Sequence, residues 1–211
     1  MKNKLYTIWL SLITILIFTL QVIIPGFTEI FVLNQLSLAK YQIWRFLTAI
    51  FLHGSITHLL FNLFALMFFG LILEKSLGSK NFLITFLVSG VIANIIAVNY
   101  YPSSLGASGA IYGVLGALTI IRPLMMVWAF GLIMPMFIAS ILWVAADVLR
   151  TMGAFGPSNI GSIAHLSGIG IGLIFGILLK IKKKPKKQPN SKIKITFDEH
   201  QLENWENQFM R

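Results

Sequence analysis

Three residue types that together can carry out acyl transfer sit in or beside apolar stretches of this chain. They are a serine in Gly106-Ala107-Ser108-Gly109, two histidines, His58 and His165, and an amide, Asn62, four residues after His58. A serine hydroxyl becomes a useful nucleophile when a base takes its proton, and an imidazole can take that proton and return it to a leaving amine. The oxyanion formed on the way needs hydrogen-bond donors, which an amide and a second imidazole can supply. His58 and Asn62 stand at i and i+4, so both side chains share one helix face. Ser108 opens an apolar stretch, where free backbone N–H groups and the positive end of a helix dipole favour an anion, and its flanking glycines leave room for a substrate backbone. The carboxylate of the usual triad has no obvious candidate beside these residues. Asp147 is the one acid well inside an apolar run, but it lies next to Arg150 near the end of that run, where it can find water or a partner.

The elements that must position these groups are membrane helices. Of 211 residues, 56% are hydrophobic and only 11% charged, too little polar surface to coat a water-soluble globule. Six apolar stretches, about 5–24, 56–73, 82–98, 108–121, 123–149 and 162–179, are separated by turn-rich or charged residues. All six are expected to be helices, because an open strand cannot span lipid. The first follows Lys2 and Lys4 as a secretory leader would, yet its length is a full span and no small-residue cleavage site follows, so it reads as a retained helix. The fold class expected is an all-α polytopic membrane protein, a six-helix domain over residues 1–180 followed by a basic cytosolic tail, 181–211.

With both termini in the cytoplasm, fourteen of the seventeen lysines and arginines fall inside, leaving only Lys40, Arg45 and Arg150 outside. The net charge of +10 therefore reads as a topology anchor facing anionic lipid, carried by Lys180, Lys182, Lys183, Lys184, Lys186 and Lys187, and not as a nucleic-acid surface. No cysteine is present, which removes thiol nucleophiles, disulfides and soft-ligand metal sites. In this topology His58, Asn62, Ser108 and His165 all lie at the outer ends of their helices, at one depth. The first external loop, 25–55, carries Phe27, Phe31, Tyr41, Trp44, Phe46 and Phe51 and is expected in the headgroup layer. The fourth stretch is short, about 14 residues or about 21 Å against a hydrocarbon core of about 30 Å. Either its entry loop, 99–107, dips into the protein or the bilayer thins there; such a helix should be central and lie under a wet cavity.

The motifs His58-x-x-x-Asn62, Gly106-Ala107-Ser108-Gly109, and Ala164-His165 followed by Gly168 and Gly172 together resemble the rhomboid family of intramembrane serine proteases. Trp44-Arg45, His53, Glu74 and Leu77-Gly78-Ser79 extend the resemblance, which covers about residues 40–179. It implies Ser108 as nucleophile and His165 as base in a dyad without aspartate. It further implies Tyr112 packed on that histidine, and His58, Asn62 and the Ser108 N–H around the oxyanion. The implied reaction is hydrolysis of peptide bonds in or near transmembrane helices of single-span or polytopic membrane proteins, without metal or cofactor. The expected setting is the plasma membrane of a prokaryote, with the site open to the extracytoplasmic side.

Each feature has a plainer reading. Ser108 could be a small residue at a helix crossing, and intramembrane histidines could belong to a proton or ion path. Gly168, Gly172 and Gly176, every fourth residue, read as packing that lets the sixth helix approach the fourth. Glu74 reads as a cap or loop-ordering residue at the cytosolic end of the second span. A transporter predicts paired broken helices in two related halves, and no such symmetry is visible. A binder or chaperone with the same fold would keep its activity when Ser108 becomes alanine.

Overall fold

A computed structural model describes residues 5–156, 161–182 and 199–209. Four helices are long and apolar enough to cross a membrane: α1 (Tyr6–Ile23), α2 (Ile56–Leu77), α3 (Ser79–Ala97) and, later in the chain, α6 (Ser162–Lys182). Between them come α4 (Ser108–Ile121) and α5 (Met136–Thr151), both shorter. A last helix, α7 (Glu199–Phe209), lies in the tail, whose residues 183–198, with the anchor lysines Lys183, Lys184, Lys186 and Lys187 among them, are outside the described residues.

The surface shows what the solvent is. On α1 the buried residues are Thr7, Leu10, Ser11 and Thr14, while Trp9, Leu12 and Leu16 point outward. Small polar residues inside and large apolar ones outside invert the pattern of a water-soluble helix and suit lipid. The inward hydroxyls are satisfied along their own helix, Ser11 Oγ donating to Thr7 O and Thr14 Oγ1 to Leu10 O.

Glu74 ties the two ends of this half together. Its carboxylate accepts from Tyr6 N–H at 2.7 Å, Thr7 N–H at 2.9 Å and Thr7 Oγ1 at 2.7 Å, so it caps the orphan donors of α1 from 67 residues away. The sequence reading of Glu74 as a cap holds, with α1 as the capped helix.

α4 is the central helix, packed between α3 and α6, with residues 109–111 and 113–118 all buried. A side chain at Gly168 or Gly172 would strike the carbonyl oxygen of Gly109 or Gly113, and one at Gly116 would strike the backbone of Ile169. Glycines on both helices thus bring the two backbones together. Lys180 closes the far end by donating to Ile120 O at 2.9 Å.

The fifth stretch departs from expectation. Residues 123–149 are not one helix: β3 (Met126–Ala129) and β4 (Leu132–Pro135) form an antiparallel hairpin before α5 begins. Phe130 and Gly131 both have positive φ, 54° and 80°, the conformation of a two-residue hairpin turn. Pro123 and Pro135 bracket the segment against helix, and the hairpin pairs its own backbone groups internally. Along β3, Val127 and Ala129 are buried while Met126 and Trp128 face outward.

The long loop after α1 is folded, with short helical turns at Phe27–Phe31, Gln35–Ala39 and Arg45–Thr48. The buried Arg45 guanidinium donates through Nη1 to Glu29 O and Val32 O. β1 (Leu33–Asn34) pairs with β2 (Ser103–Ser104), and Gly106 N–H donates to Ala49 O. These bonds pull the loop 99–107 against the loop 25–55 and set the entry into α4.

Candidate active site

Ser108 is the first residue of α4, half-buried, with Ala107 as the preceding cap. Its N–H is one of the unpaired donors of the helix start. Among the described residues its Oγ has no hydrogen-bond partner, as is common for catalytic hydroxyls that engage their base only with substrate bound.

His165 lies one turn into α6 and is buried. Two contacts align it with the start of α4. The Tyr112 ring, one turn after Ser108, stacks on the imidazole with centroids 4.2 Å apart and planes 10° from parallel. Gly109 meets the backbone of Ala164 and Gly168, the residues flanking His165 along α6. The start of α6 is pinned by Ile163 N–H donating to Tyr101 Oη at 3.0 Å.

His58 comes to the same place from α2. Gly106 has φ +122°, and a Cβ there would fall 2.7 Å from His58 Cε1 and 2.9 Å from Nε2, so the imidazole rests on the loop two residues before Ser108. The positive φ calls for glycine at 106, and any side chain there would also have to displace the imidazole. Asn62, one turn further, is buried and donates one amide N–H to His58 O at 3.0 Å, leaving the other free.

His53 stands behind His58, edge to face at 4.9 Å, and is buried. Its backbone exchanges hydrogen bonds with the Gln21 side chain, and its Nδ1 faces Phe51 O at 3.3 Å. Burial above all, then the charge of His58, lowers its pKa to about 4 against a smaller opposing pull from Phe51 O. His53 is therefore neutral at physiological pH.

Asp147 is the residue the sequence reading left aside. It is 1% exposed, its carboxylate approaches His165 Nδ1 at 3.2 Å (Oδ2) and 3.4 Å (Oδ1), and Arg150 Nη1 donates to Oδ1 at 2.9 Å. A lone ionisable residue in an apolar run was the available signal. Among the described residues no group of three or more His, Cys, Asp and Glu side chains converges as a metal site.

Fold and site define an integral membrane protein of packed helices in which Ser108 opens α4, His165 stacks on Tyr112 of the same helix, and His58 rests on the loop that leads into it. Comparison with known proteins identifies the class. The Rhomboid domain profile matches residues 40–182, and the chain belongs to the rhomboid family. It is 34% identical over 153 residues to the putative rhomboid protease YdcA of Bacillus subtilis, covering 71% of this chain and 74% of that one. With the rhomboid protease GlpG of Haemophilus influenzae it shares 32% identity over 139 residues, 65% of this chain and 70% of the other. RHOMBOID-like protein 4 of Arabidopsis thaliana is 29% identical over 141 residues, and there the chain spans only 34% of the relative's length.

Proposed function

We propose that this protein is an intramembrane serine endopeptidase that cuts peptide bonds in or near the transmembrane helices of other membrane proteins. The observation that carries the reading is the Tyr112–His165 stack on glycine-packed α4 and α6, which sets a histidine level with the serine at the start of α4. The protease names of the Bacillus and Haemophilus relatives agree with it. α4 and α5 complete a six-span bundle with both termini in the cytoplasm, in the plasma membrane of a prokaryote, and the site opens to the extracytoplasmic side.

A substrate helix enters from the lipid, unwinds near the outer face and offers an extended carbonyl to Ser108. Unwinding requires small or helix-breaking residues in the substrate, since an intact helix holds its carbonyls in i to i+4 bonds. His165 takes the Ser108 proton as Oγ bonds to the carbonyl carbon. The Ser108 N–H, the free Asn62 amide N–H and His58 hold the oxyanion. His165 then protonates the leaving amine, and water hydrolyses the acyl-enzyme by the same route in reverse.

The test is cleavage of a single-span substrate by purified protein in liposomes, comparing wild type with Ser108→Ala and His165→Ala, with and without EDTA. Cleavage abolished in both variants and unaffected by EDTA is expected. Equal cleavage by all three proteins would overturn the assignment, and a membrane-helix binder would retain substrate capture in Ser108→Ala without any wild-type cleavage.

A further inference from the structure

The geometry points to Asp147 as a third member of the site, a positioning residue that fixes the tautomer and orientation of His165, so that the centre is a Ser-His-Asp array drawn from three helices. This rests on the reading of Ser108 and His165 given above. An ionised carboxylate next to an imidazole nitrogen can only accept, and Asp147 is paired with the Arg150 guanidinium, whose Nη1 donates to Oδ1 at 2.9 Å. His165 Nδ1 therefore carries the proton and donates to Asp147 at 3.2 Å. The remaining ring nitrogen, Nε2, keeps its lone pair for the Ser108 hydroxyl.

The carboxylate is itself held. It is 1% exposed, Arg150 binds it from its own helix, and the Tyr112 hydroxyl interacts with it from α4. Tyr112 thus acts on both partners: its ring stacks on the imidazole, and its hydroxyl lies within electrostatic reach of the acid. Ser162 Oγ, buried at the start of α6, also lies within reach of Asp147. His58, on α2, interacts with His165 through charge. During acylation the Ser108 proton moves to Nε2, and the Nδ1–H stays on the imidazolium, where the carboxylate stabilises it. The alternative is that Asp147 and Arg150 form a helix-end ion pair that merely happens to touch the ring.

Two measurements separate these. In detergent-solubilised protein labelled with nitrogen-15 in histidine, the His165 ring nitrogens report the tautomer: Nδ1–H in wild type, shifting toward Nε2–H in Asp147→Asn, whose amide can donate to Nδ1. In liposomes, Asp147→Asn lowers kcat on the order of 10²-fold, less than the roughly 10⁴-fold seen when the buried acid of a soluble triad is made an amide, with KM within about twofold. Asp147→Glu recovers part of kcat. A wild-type His165 in the Nε2–H tautomer would overturn the assignment without recourse to any variant. An Asp147→Asn protein with kcat within about twofold of wild type would do the same. Cleavage by Ser108→Ala would instead remove the underlying reading, so the two failures are distinct.

Discussion

At the scale of single residues, His58, Asn62, Ser108 and His165 stood out as candidates because their chemistry is rare inside apolar runs, and His58 and Asn62 also share a helix face. Asp147 was visible as an anomaly, but its partner was not. Eighteen residues and a helix reversal separate it from His165, and only the packing of α5 against α6 closes that gap. His53 gives a prediction that depends on burial. Its folded pKa of about 4 lies below the ordinary 6.5, so as pH falls the unfolded chain takes up the proton first. The contribution of neutral His53 is complete above pH 6.5 and is lost as pH falls toward 4. The linkage is worth at most about 3 kcal/mol. Denaturation in mild detergent at a series of pH values should show wild type losing stability across that window, and His53→Phe, whose ring does not titrate, losing much less. Identical pH slopes for the two proteins would mean that His53 is not held neutral by the fold. The Gln21 bonds, made to the backbone of residue 53, survive the substitution.

At the scale of elements, five of the six apolar stretches became helices close to where hydropathy put them, and Ser108–Ile121 matched in both bounds. The fifth stretch, 123–149, is helical only from Met136, for a physical reason. A hydropathy window registers how apolar residues 123–135 are but not which backbone they adopt, and the turn rests on Phe130, a non-glycine residue at positive φ. The glycine spacing on α6, by contrast, carried its meaning on its face, and it gives a test with an internal control. A Cβ at Gly172 would collide with the Gly113 carbonyl, whereas one at Gly170 meets nothing within 4 Å. Gly172→Ala should therefore cost about 1–3 kcal/mol through overpacking, and it should also reduce cleavage, since a displaced α6 carries His165 away from Ser108. Gly170→Ala should be neutral or stabilising by up to about 1 kcal/mol, as alanine favours helix. Thermal unfolding and cleavage rate measured on both proteins decide it. Equal tolerance of the two substitutions would mean that the α4–α6 approach does not position the site.

At the scale of the whole molecule, the proposed orientation rests on charge and would decide which compartment the reaction serves. In the proposed topology fourteen of seventeen basic side chains lie on the cytoplasmic side, and inversion would be costly, because each Lys or Arg moved to the outer side works against the bias that retains cations in the cytoplasm. Two exposed positions outside the helices report the sidedness: Leu124, 74% exposed, in the turn after α4, and Met152, 77% exposed, just beyond α5. The chain has no cysteine of its own, so Leu124→Cys and Met152→Cys each carry a single thiol. In intact cells an impermeant maleimide should label Met152→Cys at once and Leu124→Cys only after the membrane is permeabilised. The reverse pattern would turn the starts of α4 and α6, and with them Ser108 and His165, toward the cytoplasm. Substrates would then have to be cut near their cytosolic ends, and the external loop that braces Gly106 through Ala49 would become an internal one. Labelling of both thiols in intact cells would mean that the turn after α4 is reachable from outside, which a bundle with six crossings and the site at the outer end of α4 does not permit.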